Sequence, residues 1–457
     1  MDSIPATATV AETLAAKIAA LEPGALPAPL VALLEDMVLD IAGLCLAARK
    51  TDYVAAALAA CDEMGPCTMI GHAHQGDAAG AALVNGTAAH GEDFDDTFEG
   101  GPVHAGVVVV PAVLAAAERY RRDGRAVLLG LAVGAETICR LSTVAPKLVH
   151  KAGFHPTAVF GTMAASVAVG ATLGLNRKQL VDALGIAGSM AGGIIEYLAE
   201  GAWTKRLHPG WAAQAGIRAA LLAKGGFVGP RSVFEGTHGL FHGFAHTTQG
   251  AYGRLTDGFG KDWVAQTIAF KPFACGTMIH PYIDCAIRLA KRGVKAEDIV
   301  EIRCATAEGI VHRLWEPLAQ KQSPPNAYAA KFSAPFGMAA GFFLGDAGLG
   351  AFTEATVRDP RFKAFAAKIK YVIDPNSSYP DNYTGQLIAR MKDGSEIEER
   401  QPHLRGGAHE PLSRQAIETK FFANAEFGGI TRAKAEAARQ SIARLFSGPI
   451  ELGSLRG

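Results

Sequence analysis

Apolar residues recur at three-, four- and seven-residue spacing through "LVALLEDMVLDIAGLCLAARK" (30–50), which predicts a helix with a broad buried face. "PAVLAAAERYRRDGRAVLLGLAVGAETICRLS" (111–142) carries the same period and reads as two helices broken at Asp123-Gly124. "NRKQLVDALGIAGSM" (176–190) opens on an asparagine cap and continues as a helix. "HPGWAAQAGIRAALLAKGGFVGP" (208–230) is a further helix, stopped at Gly225-Gly226. From Ala11 to about residue 250 the pattern is helix after helix, and the Ala and Gly content predicts helices that pack closely. No period of 20–50 residues repeats, which excludes a solenoid.

The texture changes after Phe270. "VEIRCATAE" (300–308), "KIKYVIDP" (368–375) and "YTGQLIARMKDGSEIEERQ" (383–401) alternate as strands do, with a hairpin signal at Lys392-Asp393-Gly394. Helical stretches, "YIDCAIRLAKRG" and "AAKFSAPFGMAAGFFLGD", lie between them. "TRAKAEAARQSIARLFSG" near the end returns to helix. The expected organisation is mainly α with a smaller α+β domain: a helical domain over 1–266, onto which 406–457 packs back, and an α+β domain over 267–405. One window, "AVFGTMAASVAVGATLGL" (158–175), is uncharged over 18 residues, as a membrane span would be. Its small residues and the His155-Pro156 start favour a helix buried on all sides.

Lys plus Arg and Asp plus Glu both number 44. Zero net charge argues against nucleic acid or an anionic membrane as partner and suits a small-molecule ligand. The seven cysteines form no CxxC pair and no compact cluster. That pattern gives a reducing, cytoplasmic compartment and leaves no iron–sulfur motif. No basic-then-apolar leader stands at the N-terminus.

The polar residues that interrupt this apolar chain are the candidate chemistry. "HGEDFDDTFEGGPVHAG" (90–106) places Glu92, Asp93, Asp95 and Asp96 in five residues between two histidines. "DDTFE" could hold Mg²⁺ through oxygen ligands one turn apart, but no second acidic motif or basic diphosphate clamp accompanies it. A solvated turn at Gly100-Gly101-Pro102 is the plainer reading. Against that, His104 leads straight into an apolar helix, and a His with carboxylates at the buried end of a core helix makes an acid/base set. His155 in "GFHPTAVFG" stands before the next buried helix. Lys205, Arg206 and His208 in "WTKRLHPG", and Lys271 and His280 in "FKPFACGTMIHP", each precede a helix, where cations beside backbone N–H groups form anion corners. Together they point to a ligand with several negative charges. His238, His242 and His246 have zinc-like spacing in "HGLFHGFAH", but interleaved glycines weaken that helix and no third-ligand motif completes it.

Taken in order, "NGTAAHGEDFDDTFEGGPVHAG", "GFHPTAVFG", "TKRLHPGWAAQAG", "GFVGPRSVFEG", "FKPFACGTMIHP" and "AAKFSAPFGMA" resemble the MmgE/PrpD family of 2-methylcitrate dehydratases, cis-aconitate decarboxylase and iminodisuccinate epimerase. The resemblance implies a large helical domain with a smaller α+β lid, a homodimer, an active site in the cleft between the domains, and no cofactor or metal. Carried over by motif, it implies Asp93, Thr97, His104, His155, Lys205 and Lys271 as site residues, with Arg206 and His280 added as substrate-binding groups. The chain departs from the family's pattern at Glu99-Gly100-Gly101, where a His-Pro type turn is expected, and at Phe336, where many members carry Tyr; Tyr328 is not an obvious replacement.

The implied chemistry removes a proton next to a carboxylate of a small di- or tricarboxylate. His104, tuned by Asp93, would be the general base or acid, and His155 would protonate a leaving hydroxyl. Lys205, Arg206 and Lys271 would hold carboxylates and developing charge. The family's frequencies favour a 2-methylcitrate dehydratase-like lyase, with an epimerase or a decarboxylase as alternatives. A non-catalytic, carboxylate-binding helical protein is the reading from a different class.

Overall fold

The computed structural model describes residues 8–101 and 103–457. The chain divides into two units. Among the described residues the first contains 8–91, 95–101, 103–268 and 414–457, and the second 92–94 and 269–413.

In the first unit the labelled helices are α1 (Val10–Ala19), α2 (Ala28–Ala48), α3 (Ala78–His90), α4 (Gly106–Arg119), α5 (Gly124–Val144), α6 (Pro156–Leu173), α7 (Arg177–Met190) and α8 (Thr204–Lys224). Asp123 and Asn176 cap α5 and α7, and the predicted break at Asp123-Gly124 is where α4 and α5 part. α8 packs on α3, α6 and α7, and α6 packs on α5. The close approach depends on missing side chains: a Cβ at Gly86 of α3 would lie 2.6 Å from Cα of Gly210 in α8. α5 and α6 are long and apolar enough to cross a membrane, and 89% and 94% of their apolar windows are buried in the helical packing. The buried-helix reading of 158–175 therefore holds, since α6 is covered by its neighbours rather than left with a lipid-facing side.

Between α5 and the segment 252–265, buried Arg140 replaces apolar packing with hydrogen bonds. Its guanidinium donates to the carbonyls of Arg254, Asp257 and Asp262 and pairs with Glu136, whose carboxylate accepts from the amides of Val264 and Ala265.

The second unit is α+β. Strands β1 (Ile299–Thr306), β2 (Ile369–Ile373), β3 (Gly385–Met391) and β4 (Glu396–Gln401) form one sheet in the order β2-β1-β3-β4. β1 runs parallel to β2 and antiparallel to β3, with Cys304 opposite both Tyr371 and Leu387. The predicted hairpin joins β3 to β4, and Gly394 takes φ 86°, which a residue without Cβ adopts without strain. Helix α9 (His280–Lys291) lies against β3 and β4 and packs on α10 (Ala334–Leu344). Phe336 of α10 is buried among Phe352 and Phe362, at 6.0 and 5.6 Å between ring centroids.

The chain then returns to the first unit as α11 (Arg414–Phe427) and α12 (Arg432–Ala443), with α11 on α2. The return comes at Arg414 rather than at the expected 406. Gly406 still belongs to the second unit: its carbonyl accepts from the Phe270 amide at 3.0 Å, and its own amide donates to the Glu410 carbonyl at 2.7 Å.

Candidate active site

The acidic run does not act as one group. Glu92 and Asp93 belong to the second unit, where two buried lysines hold them. Lys331 donates to the Glu92 carbonyl and carboxylate, both at 2.6 Å, and Lys271 donates to the Asp93 carbonyl at 2.9 Å and to its Oδ1 at 3.2 Å. Asp93 sits at φ 57°, in the left-handed region that Asp tolerates better than most residues.

Asp95 and Asp96 belong to the first unit and are fully buried. Asp96 caps α4: its carboxylate accepts from the amides of Ala105 at 3.0 Å and Gly106 at 2.9 Å. A side chain at 106 would run into that carboxylate, so the position needs glycine. The turn that separates Asp96 from α4 is closed by the Phe98 amide, which donates to the Val103 carbonyl at 2.9 Å. The unusual Glu99-Gly100-Gly101 is thereby absorbed in the turn, and His104 stays tied to Asp96.

His104 Nδ1 lies 2.7 Å from the Asp96 carbonyl and 3.1 Å from Asp95 Oδ2. A carbonyl only accepts, so Nδ1 carries the proton and Nε2 carries the lone pair. Asp95 Oδ2 also takes His90 Nδ1 at 2.9 Å. Within the first unit the carboxylate behind His104 is thus Asp95, while Asp93 pairs with Lys271 in the second. Burial would raise the Asp95 carboxyl, but the two histidines outweigh it and hold Asp95 well below the usual carboxylate range. Burial, aided by Lys205 and His104, brings His90 down to about 4. At neutral pH the pair is thus a neutral imidazole donating to a carboxylate. Asp96, buried beside the charge of Asp95, is pushed up to about 7.

His155 stands at the N-cap position of α6, as expected. Its Nδ1 lies 3.1 Å from Nδ1 of His208, and Tyr197 sets its ring edge against both, at 6.2 and 5.8 Å between centroids. Burial, with His90 and His208 close by, keeps His155 well below the usual imidazole range, and burial brings His208 to about 4. Four imidazoles thus gather in one place: His90–His104 at 4.9 Å, His90–His155 at 5.8 Å and His155–His208 at 5.3 Å.

Lys205 and Arg206 lie inside the first turn of α8 rather than ahead of it. The helix was expected from His208, but Pro209, this near the N-terminus, forfeits a single helical hydrogen bond and the helix runs on through it. The Lys205 charge reaches His90, His155 and His208. Arg206 stacks on Tyr53, 4.5 Å from the ring centroid, so its face is occupied by an aromatic partner. Thr97 is buried beside the cluster's acidic segment. His280 is fully buried in the second unit: its Nε2 donates to the Cys275 carbonyl at 3.2 Å, and Phe273 lies edge-on at 5.4 Å. Phe336 lies in an aromatic core with Phe352 and Phe362.

Of the expected residues, the first unit brings together His104, His155 and Lys205, and the second pairs Asp93 with Lys271. Sequence reasoning missed His90, Asp95 and Asp96 as working parts, although all three lie in the stretch it singled out. His208 was noted only as part of a cationic corner. An open recess of about 550 Å³ in the first unit is lined by Tyr197, His208, Leu207 and Trp211 among others. The second unit has its own recess of about 250 Å³ near Tyr379 and Tyr383.

Comparison with known proteins matches residues 12–251 to the MmgE/PrpD N-terminal domain and residues 273–445 to the MmgE/PrpD C-terminal domain. The chain is 27% identical over 423 residues to the cis-aconitate decarboxylase-like protein oryM of Aspergillus oryzae, covering 87% of this chain and 86% of that one. It is 29% identical over 359 residues to cis-aconitate decarboxylase of Homo sapiens, covering 76% and 72%. It is 31% identical over 243 residues to cis-aconitate decarboxylase of Aspergillus terreus, covering 50% and 49%.

Proposed function

The chain belongs to the MmgE/PrpD family, and from that premise we propose that it is a lyase that moves a proton at a carbon next to a carboxylate of a small di- or tricarboxylate, using side chains alone. The observation that carries this reading is the fixed tautomer of His104. With Nδ1–H held by the Asp96 carbonyl and the Asp95 carboxylate, Nε2 is the atom that gains and loses a proton. Asp95 then offsets the charge of the imidazolium, the arrangement a general acid/base requires. His155 supplies a second imidazole for a proton leaving or arriving at another atom. Lys205 supplies positive charge for a carboxylate or for the enolate that forms beside it.

Decarboxylation of a cis-aconitate-like substrate is the first reaction to test, because the relatives above carry that name. In that reaction the C–C bond to the departing carboxylate breaks, CO₂ leaves, and the electron pair remaining on carbon takes the proton that His104 Nε2 has first picked up from solvent. A dehydratase would use the same base but expel hydroxide, protonated by His155. Both routes leave a distinct product. The purified chain is incubated in D₂O with cis-aconitate, 2-methylcitrate, citrate and iminodisuccinate, and followed by proton NMR and CO₂ release. We expect deuterium at the carbon next to a carboxylate, with CO₂ from cis-aconitate. Exchange with no CO₂ and a new vinyl signal moves the assignment to dehydration. Absence of deuterium incorporation, of a vinyl product and of CO₂ with all four overturns the reading. Lys205→Ala should lower kcat by roughly a hundredfold with the fold intact; a near-normal rate removes Lys205 from the site.

We also propose self-association. Ile194, Leu198, Trp203 and Trp211 are 60%, 63%, 49% and 50% exposed on the first unit, a cost in water that a second copy would relieve. Light scattering should report a dimer, and a concentration-independent monomer would refute it.

A further inference from the structure

His90, His104 and His155 come from three separate places: the end of α3, the segment before α4 and the start of α6. A ring nitrogen from each lies within 4.8 Å of the other two. Two observations give this cluster a direction. Nδ1 is engaged on both His90 and His104, by Asp95 and by Asp95 with the Asp96 carbonyl, so the lone pair on each ring is at Nε2. The His90 ring is fully buried, yet its Nε2 has no hydrogen-bond partner among the described residues. A buried lone pair without a donor carries a desolvation cost that a bound cation would remove. His155 completes the set when it donates Nδ1–H to His208 and turns its own Nε2 lone pair inward.

We propose that His90, His104 and His155 form a binding site for a first-row transition-metal dication such as Zn²⁺, with Asp95 as the carboxylate that orients two of the three ligands. Imidazoles whose second nitrogen is held by a carboxylate or a carbonyl are the usual metal-binding arrangement, because that contact fixes the tautomer and raises ligand basicity. Imidazole nitrogen selects zinc, cobalt, nickel or copper over magnesium or calcium. Zn–N bonds of about 2.0–2.1 Å set the three nitrogens roughly 3.3 Å apart in a tetrahedral site. The nitrogens therefore close in by up to about 1.5 Å, a movement that falls to His104, the one with 13% of its side chain exposed. The fourth position is left for water or a carboxylate ligand. Occupancy is not needed for the proposed reaction; it would take the Nε2 lone pair that reaction uses, so the ion acts as an off-state.

Metal binding is tested on the full, metal-free chain without substrate, by calorimetry with Zn²⁺ and by visible absorption with Co²⁺. We expect one equivalent and the d–d bands of four-coordinate Co²⁺. His90→Ala and His155→Ala should each weaken binding by roughly a hundredfold or more, and Asp95→Asn by about 10- to 100-fold. His242→Ala, in the separate His238–His242 pair 6.2 Å apart, should leave it unchanged. Where His90→Ala does not fold, the partly exposed His104→Gln serves in its place. Absence of binding, several equivalents, or equal affinity in the wild type and His90→Ala overturns the site. The inhibitory arm rests on the proposed reaction: we expect turnover to fall with Zn²⁺ and to return with chelator. A chain that binds Zn²⁺ and keeps its turnover overturns the role of His104 in catalysis, not the metal site.

Discussion

Asp95→Asn tests the proton-transfer reading most directly. Asp95 Oδ2 receives His90 at 2.9 Å and His104 at 3.1 Å from a fully buried position. When His104 Nε2 is protonated, a carboxylate about 4 Å from the ring's charge contributes about 4 kcal/mol at an effective dielectric of ~20. Asparagine keeps an oxygen that can accept one of the two hydrogen bonds, returning about 1 kcal/mol, and the Asp96 carbonyl still fixes the His104 tautomer. The net loss of roughly 2–3 kcal/mol falls on the state in which the imidazole is charged, and corresponds to a fall of roughly 30- to 150-fold in kcat. The assay is steady-state turnover of whichever substrate the NMR screen identifies, with circular dichroism to check the fold and ¹⁵N-histidine NMR to follow His90. Because Asp95 is a positioning group behind the rings, the loss should appear in kcat, with KM within a few-fold. A kcat within threefold of wild type, or a loss carried wholly by KM, would refute the argument.

Other consequences are open to measurement. Gly210→Ala should destabilise the chain by roughly 1–3 kcal/mol in urea unfolding, because the new Cβ runs into the Leu83 carbonyl and forces α8 away from α3; an unchanged midpoint would show that the helices part freely. Asp36, buried beside Arg414 with Glu35 and Asp40 nearby, has its carboxyl raised to about 6 from an ordinary 3.8. The folded state therefore binds a proton more tightly than the unfolded chain, and this contribution is present below about pH 4 and lost as pH rises through about 6. Asp36→Asn should remove about 2 kcal/mol of that slope between pH 4.5 and 7.5, read as the change with pH of the difference in unfolding free energy from wild type. A pH-independent difference would contradict it.

Much of the architecture is legible along the chain because it rests on short-range pattern. Helical periodicity, the Asp123 and Asn176 caps and the Lys392-Asp393-Gly394 hairpin each depend on neighbours within one or two turns. One misread start has a local cause as well: with a proline at 209 the helix was expected from His208, although α8 begins at Thr204. The charged stretch 90–106 stood out from an apolar chain, and His104, His155 and Lys205 came from it and from two other motifs. How its acids divide was not legible. Asp93 and Asp95 are two residues apart and identical in type, yet one pairs with Lys271, 178 residues away, and the other with His90 and His104. Nor were the surroundings of His280 and Phe336 legible: Cys275 and Phe273 lie against one, and Phe352 and Phe362 against the other.

The sequence by itself thus determined the helical and α+β parts, the close packing of the helices and the segments rich in chemistry, since hydrophobic period, small-residue content and turn chemistry act locally. Which carboxylate serves which histidine was decided only by the tertiary structure. A buried charge takes the partner that desolvation and geometry leave within about 3 Å, and that partner is set by how α3, α4, α6 and α8 meet, not by distance along the chain.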